Sequence, residues 1–374
     1  MCLRVAVGFW FVVTIAGQLL FAFTVASFYG LTAARGQVSS WNRTMTHGYV
    51  AGDATGNLIV AVHLASAVII ILSGAIQIAP LSRNRAPAFH RWNGRLYMVT
   101  AFTVSLAGLY LMLVRGTVGG SISHVGQAID AVLIMVCAVM AARYAVAGEY
   151  SRHRSWALRL YLVVSASLFI RAALFLSNFG FEQDTFMAVM AYAQYLVPLA
   201  VLEIYLRVKD RGGVSSRFAM AAGLSALTLV LAAGISVVTV SAWVPEVKRA
   251  FDSRPSIAGA LAVTIASNGI DDAARQYREL KAISSSAYNM DEAELNALGY
   301  QLIRAGQLPE AIRIFQLNVE AFPQSSNPYD SLGEAYMDSG DTPRAVANYA
   351  ESLRLNPRST NAVKMLQRLG ASPH

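Results

Sequence analysis

Charged residues are scarce in this chain. They make up only 14% of its 374 residues, whereas hydrophobic residues make up 55%. Soluble globular domains carry about a quarter charged residues, so this composition excludes an ordinary soluble protein. The only two cysteines, Cys2 and Cys137, do not encode a disulfide framework. The sequence also has no phosphate-binding glycine loop, no nucleophile elbow and no paired zinc-ligand spacing, so no soluble-enzyme constellation is recognised.

Long apolar runs, by contrast, are abundant. Seven of them approach the ~20 residues that cross a ~30 Å hydrocarbon core. Because the runs are continuous and do not alternate with period two, they predict helices and not barrel strands. The predicted spans are Val5–Tyr29, Leu58–Ala79, Leu96–Val114, Val125–Ala147, Trp156–Leu176, Phe186–Leu206 and Phe218–Val240. The first run is longer than the ~7–15 apolar residues of a secretory signal, which favours an uncleaved span.

The basic residues predict an orientation for these spans. Twelve lie in the connections after spans two, four and six: Arg83, Arg85, Arg91, Arg95, Arg143, Arg152, Arg154, Arg159, Arg207, Lys209, Arg211 and Arg217. The opposite connections hold only Arg35, Arg43 and Arg115, and the one after span five holds Glu182 and Asp184. Since positive charge accumulates on the cytoplasmic side, we expect a plasma (inner) membrane protein with a cytoplasmic N-terminus. Residues beyond Val240 are then periplasmic or extracellular.

These basic residues belong to the membrane connections and are suited to anionic lipid head groups. No basic surface with interleaved aromatic residues is apparent, so no nucleic-acid partner is predicted.

An internal repeat of 34 residues follows the membrane spans. Leu298, Gly299, Gly306, Ala311, Phe315 and Pro323 recur as Leu332, Gly333, Gly340, Ala345, Tyr349 and Pro357. The period and the residue classes resemble the tetratricopeptide repeat (TPR), a pair of antiparallel helices. Gly269, Ala273 and Tyr277 fit the second helix of an earlier, degenerate repeat, and 361–369 fits a closing helix.

The sequence therefore predicts an all-α protein: a seven-helix membrane domain over residues 1–241, a linker over 242–255 and a TPR-like domain over 256–374. The resemblance to tetratricopeptide arrays implies a concave surface that receives a protein or peptide partner. The alternative is that these few repeats form a folded tail or mediate self-association.

Four histidines mark the starts of spans two to five. They are His63, His90, His124 and His153. Because successive spans run in opposite directions, His63 can approach His124 on one side of the membrane and His90 can approach His153 on the other. Two facing imidazole pairs are what two stacked haem irons require.

The surroundings of the histidines carry two resemblances. The segments His90-Arg91-Trp92-Asn93-Gly94-Arg95 and His153-Arg154-Ser155-Trp156-Ala157-Leu158-Arg159, together with His63, resemble a family of bacterial predicted membrane proteins of unknown function over roughly residues 55–210. The histidine layout is similar to that of transmembrane di-haem cytochromes b. That second resemblance implies two haems b per chain for electron transfer across the membrane, with Arg91, Arg95, Arg154 and Arg159 holding the propionates.

Two other interpretations stay open at this point. His90 and His153 precede their apolar runs and are each followed by arginine, so a His-Arg-Trp cluster also suits an interfacial anchor. Asp130, Arg171 and Glu203 lie within apolar runs, which suggests either a small-solute or proton transporter or an ion pair that fixes packing. By depth, Asp130 and Arg171 are the expected pair.

Overall fold

The chain is all-α. The computed structural model describes residues 1–372 except 46–47, 51, 80–83, 116–120, 175, 177–182, 253, 285 and 358, and these ranges contain no β-strand. Arg83, Glu182 and the side chains of Arg43 and Asp184 lie outside the described residues. Two compact units are present, one over Met1–Phe251 and the other over Asp252–His374.

The first unit is a bundle of long apolar helices. We number them α1 Cys2–Ala34, α2 Ala54–Ile78, α3 Pro87–Arg115, α4 Ser121–Val146, α5 Tyr150–Val164, α6 Ala166–Ala173, α7 Gln183–Arg211 and α8 Val214–Phe251. Among the described residues, six helices are long and apolar enough to span a membrane, and α5 and α6, bent by 42° at their junction, pass the same test only when taken together. Residues Val244–Phe251, within the predicted linker, are the last turns of α8.

Two of these helices begin well before their apolar runs. Pro87 occupies the first turn of α3, where its missing N–H needs no partner. Tyr150 begins α5. Both His90 and His153 are therefore helical residues near the first turn, and not part of a loop. We call the end of the bundle where α2 ends and where α3 and α5 begin the basic end.

The membrane helices pack mainly as neighbours in sequence, α2 against α3 and α4 against α5, while α1 pairs with α8. Small residues allow these close approaches. A methyl group added to Gly74 of α2 would lie 3.0 Å from the Tyr97 ring of α3, and one added to Gly126 of α4 would lie 2.9 Å from Ala191 of α7. Each helix thus buries one stripe and leaves the rest of its apolar surface for lipid.

A polar cap closes the other end of the bundle. Arg115, at the end of α3, is only 4% exposed and bonds Asp53, which precedes α2, at 2.7 Å and Asn57 at 2.8 Å. The backbone N–H of Gly56 and the Arg115 guanidinium lower the pKa of Asp53. Trp41 is buried nearby and donates its indole N–H to Thr32 at 3.0 Å. This cap fixes the ends of α1, α2 and α3 together.

The described residues of the second unit form seven stacked helices. They are α9 Ile257–Asn268, α10 Ile270–Ser284, α11 Glu292–Arg304, α12 Leu308–Ala321, α13 Ser326–Asp338, α14 Thr342–Leu355 and α15 Thr360–Arg368. Consecutive helices pair as α9–α10, α11–α12 and α13–α14, and α15 closes the stack. The degenerate repeat predicted upstream is the α9–α10 pair.

The repeat residues occupy the contacts that their classes predict. Ala311 and Ala345 are fully buried between paired helices. A methyl group on Gly299 would overlap the Phe315 ring, because the two helices of that repeat approach so closely there. Gly306, with φ +74°, ends the turn between α11 and α12 in the left-handed region that favours glycine.

Candidate functional site

His63 lies within α2 and faces α3. Its Nδ1 donates to the carbonyl oxygen of Val104 at 3.2 Å. Gly108 of α3 makes room for the ring, since a methyl group there would lie 3.4 Å from the imidazole Cε1. The hydrogen bond selects the tautomer that leaves Nε2 as the remaining nitrogen.

His90 belongs to a polar cluster that joins α2 to α3 at the basic end. Its Nε2 lies 3.2 Å from the side-chain nitrogen of Gln77, near the end of α2. Asn93, one turn further along α3, is 4% exposed and donates at 2.8 Å both to the Gln77 side-chain oxygen and to the Ser73 carbonyl. This cluster satisfies buried amide groups within one helical hairpin.

His153 has the equivalent position in the next hairpin. Its Nδ1 lies 2.9 Å from the carbonyl oxygen of Ala141, which ties the start of α5 to α4. His124 is the fourth residue of α4, at the opposite end of the bundle. His63, His90 and His153 thus each contact the helix next to them in sequence.

These contacts do not assemble the two haem-ligand pairs that the sequence predicts. His63 is the tenth residue of α2 and bonds α3, whereas His124 is the fourth residue of α4. His90 directs Nε2 to Gln77 and not to His153. Among the described residues, no three His, Cys, Asp or Glu side chains converge on a position for a metal ion. These contacts of His63, His90 and His153 are with backbone carbonyls and an amide of the neighbouring helix, and not with a second imidazole.

The four predicted propionate ligands occupy the basic end without gathering around the histidines. Arg159 pairs with Glu203 of α7 at 2.6 Å and stacks over the Trp156 ring at 5.0 Å. The other three, Arg91, Arg95 and Arg154, are exposed. Next to Arg91, Trp92 is 64% exposed. Exposed arginine and tryptophan at a helix end match the interfacial anchor more closely than a cofactor site.

The expected Asp130–Arg171 ion pair is wrong. Arg171 donates to the Ser167 carbonyl at 2.7 Å and lies over the Phe21 ring at 4.3 Å. Its ionisable neighbours include Tyr29, Glu246 and His63. One buried carboxylate oxygen of Asp130 has no hydrogen-bond partner within the part of the chain that the structure describes. The two helices are not packing neighbours, because α4 packs against α3, α5 and α7 whereas α6 packs mainly against α8 and α7.

A buried polar link between α1 and α5 was missed by sequence reasoning. Gln18 donates to the Ser165 hydroxyl at 2.6 Å and accepts from the Tyr161 hydroxyl at 2.9 Å. Ser165 is the residue at which α5 and α6 meet in their bend. The one available signal was a glutamine inside an apolar span, because an amide in hydrocarbon requires a partner.

In the repeat unit, the first helices of successive pairs lie side by side. We call the surface formed by α9, α11, α13 and α15 the inner face. The Tyr300 hydroxyl of α11 donates to Glu334 of α13 at 2.7 Å, and Asn361 of α15 donates to Asp330 of α13 at 2.7 Å. Burial raises the pKa of both carboxyl groups. Asp338, one turn beyond Glu334, is exposed. The inner face therefore presents a row of carboxyl groups along α13.

Comparison with known proteins gives the same two parts. Residues 60–206 match a family model described as a predicted membrane protein (DUF2306). Cellulose synthase operon protein C of Escherichia coli K12 is 38% identical over 65 residues, which are 17% of this chain and 6% of that protein. Superkiller complex protein 3 of Mus musculus is 35% identical over 65 residues, again 17% of this chain and 4% of that protein. The chain thus matches less than a tenth of the length of these curated relatives.

Proposed function

We propose that this multi-pass membrane protein is an adaptor that holds a tetratricopeptide-like array at the membrane and binds a protein partner through the inner face. The observation that carries the proposal is the packing of α9, α11 and α13 side by side, with Asn361 of α15 hydrogen-bonded to Asp330 of α13. Stacked helix pairs of this kind form a continuous surface wide enough for a peptide or a partner helix. The short matches to the two curated relatives support the presence of repeats and carry no activity to this chain.

The bundle supplies the anchor in this proposal. Its exposed tryptophan and arginine residues at the basic end suit the lipid interface, and Arg159–Glu203 and the Gln77–Asn93 cluster hold the helices in register. From the distribution of positive charge, we infer that the basic end is cytoplasmic and the array lies outside the cytoplasm.

Site-specific photo-crosslinking tests the binding surface. A photoreactive residue at Asp338 on the inner face should give a discrete adduct in cells. The same residue at Ala347, exposed on the second helix of the same pair, serves as the matched control. If Asp338 and Ala347 give the same pattern, or if neither gives an adduct, the inner face is not the binding surface.

Haem binding is the second candidate. The Nδ1 contacts of His63 and His153 favour it, because a donated Nδ1–H leaves Nε2 for a metal. When bound, haem would supply one-electron chemistry. The contact of His90 with Gln77 does not favour it, and haem b stays a prediction from the sequence. An absorption spectrum of the dithionite-reduced protein, purified from haem-supplemented cells, tests it, and a colourless protein rules it out.

A further inference from the structure

A large apolar crevice opens in the side of the membrane bundle. It has a volume of about 660 Å³, within the range of ligand pockets. Its walls come from α1, α5, α6, α7 and α8, with the end of α2 at one corner. Along α7 the lining runs from Met190 to Tyr205, about 22 Å of helix at 1.5 Å per residue. The crevice therefore extends through more than half of a ~30 Å hydrocarbon core.

Local features of three helices coincide with this opening. Pro198, inside α7, lines the crevice at a point where the helix loses a backbone hydrogen bond. Opposite, α5 and α6 bend by 42° at Ser165. Gly8 of α1 faces open space, since an added methyl group would find no atom within 4 Å. A larger residue at Gly8 would partly fill the crevice.

The few polar and charged side chains of the lining indicate what kind of ligand the crevice can bind. Two polar side chains deep in the crevice are already engaged, because Tyr161 donates to Gln18 at 2.9 Å and Gln194 donates to the Ala191 carbonyl at 3.1 Å. Among the described residues, the one cationic side chain in the lining is Arg4, near the start of α1, and Ile78 at the end of α2 lines the same crevice. The crevice thus offers apolar contacts along α7 and a positive charge at the end where Arg4 lies.

We propose that this crevice binds one anionic phospholipid, with an acyl chain along α7 and the phosphate head group at Arg4. The walls expose about 22 Å of apolar surface, which exceeds the ~15 Å depth of one leaflet, so a chain of ordinary length fits. An arginine near the head-group region contributes about 1 kcal/mol toward an anionic lipid. That energy corresponds to about a five-fold preference for an anionic over a zwitterionic head group. This site is independent of partner binding by the repeat array.

Native mass spectrometry of the full chain tests the proposal. The protein is reconstituted in nanodiscs of equimolar phosphatidylglycerol and phosphatidylethanolamine and then released from the bilayer. We expect the wild type to retain a single lipid, with about five-fold enrichment of phosphatidylglycerol. Gly8→Phe should lose the retained lipid because its ring occupies the crevice. Gly223→Phe is the matched control, since Gly223 also has no atom within 4 Å of an added methyl group but does not line the crevice.

Two further variants keep the test decisive. Leu227→Trp, on α8, also narrows the crevice. It is used in place of the Gly8→Phe variant if Gly8→Phe protein does not accumulate. Arg4→Gln should retain a lipid but lose the phosphatidylglycerol preference. The proposal is overturned if the wild type retains no lipid or if the crevice variants retain as much lipid as Gly223→Phe. Equal retention of the two phospholipids by the wild type, or a neutral isoprenoid as the co-purified occupant, also overturns it.

Discussion

Three helical glycines of the repeat unit allow a graded test of its packing. Replacing glycine by alanine inside a helix stabilises by ~0.5–1 kcal/mol when the added methyl group meets nothing. Gly259 in α9 is such a position, with no atom within 4 Å of the added methyl group. Gly333 in α13 is tighter, because the methyl group would lie 3.2 Å from ring atoms of the buried Tyr349. At Gly299 in α11 the methyl group overlaps the Phe315 ring.

The three substitutions should therefore differ in sign. Gly259→Ala should raise the free energy of unfolding by ~0.5–1 kcal/mol. At Gly333 the crowding should offset this gain, so the net change should stay within about 0.5 kcal/mol. Gly299→Ala should be destabilising by about 1–2 kcal/mol, because overpacking in a core costs ~1–3 kcal/mol and the helix gain recovers only part of it.

Thermal melting followed by circular dichroism measures these differences on the excised segment 252–374, which corresponds to one compact unit. A loss of 1–2 kcal/mol should lower Tm by about 4–8 °C for Gly299→Ala. Gly259→Ala should melt above the wild type. If Gly299→Ala raises Tm as much as Gly259→Ala does, then α11 and α12 do not approach as closely as the structure has them, and the packing argument fails.

Three further predictions concern charge. Burial raises the pKa of Glu334 in the folded state. Its contribution to the free energy of unfolding is therefore fully present below the pKa of the unfolded chain and is lost as the pH rises through the pKa of the folded state. Compared with Glu334→Gln, the wild-type segment should therefore gain Tm as the pH is lowered from about 7 toward the ordinary glutamate pKa of about 4.3, and an equal pH response of the two proteins contradicts the assignment. In the bundle, Arg159→Gln should lower the amount of protein in the membrane, because Glu203 is left unpaired, and adding Glu203→Gln should restore that amount. Asp130→Asn should not lower it. Equal amounts of all these variants would refute the Arg159–Glu203 pairing. An alkaline phosphatase fusion after the last helix should be active and one within Arg207–Arg217 silent, whereas the reverse pattern would invert the proposed orientation.

The sequence alone determined the fold class and the repeat positions. Apolar runs of the right length predict spanning helices whatever their neighbours are, because each helix satisfies its backbone internally. The 34-residue period likewise fixes which residues meet within a repeat, as with Gly299 against Phe315. Both patterns are local along the chain, so the order of the residues is enough to read them. The first residues of the helices were predicted less accurately, because α3 and α5 begin at Pro87 and Tyr150, before the apolar runs from which they were recognised.

The tertiary structure alone decided which side chains meet between helices. Depth estimates placed Asp130 with Arg171, but α4 and α6 are not packing neighbours, and Arg171 lies over Phe21 while Arg159 pairs with Glu203. The histidines face their sequence neighbours for the same reason. The lipid crevice has no sequence signature, since its walls come from five helices and its opening depends on a bend and on Gly8 meeting empty space. Periodicity reports which residues share a helix face, whereas rotation and spacing between helices follow from the packing of the whole bundle.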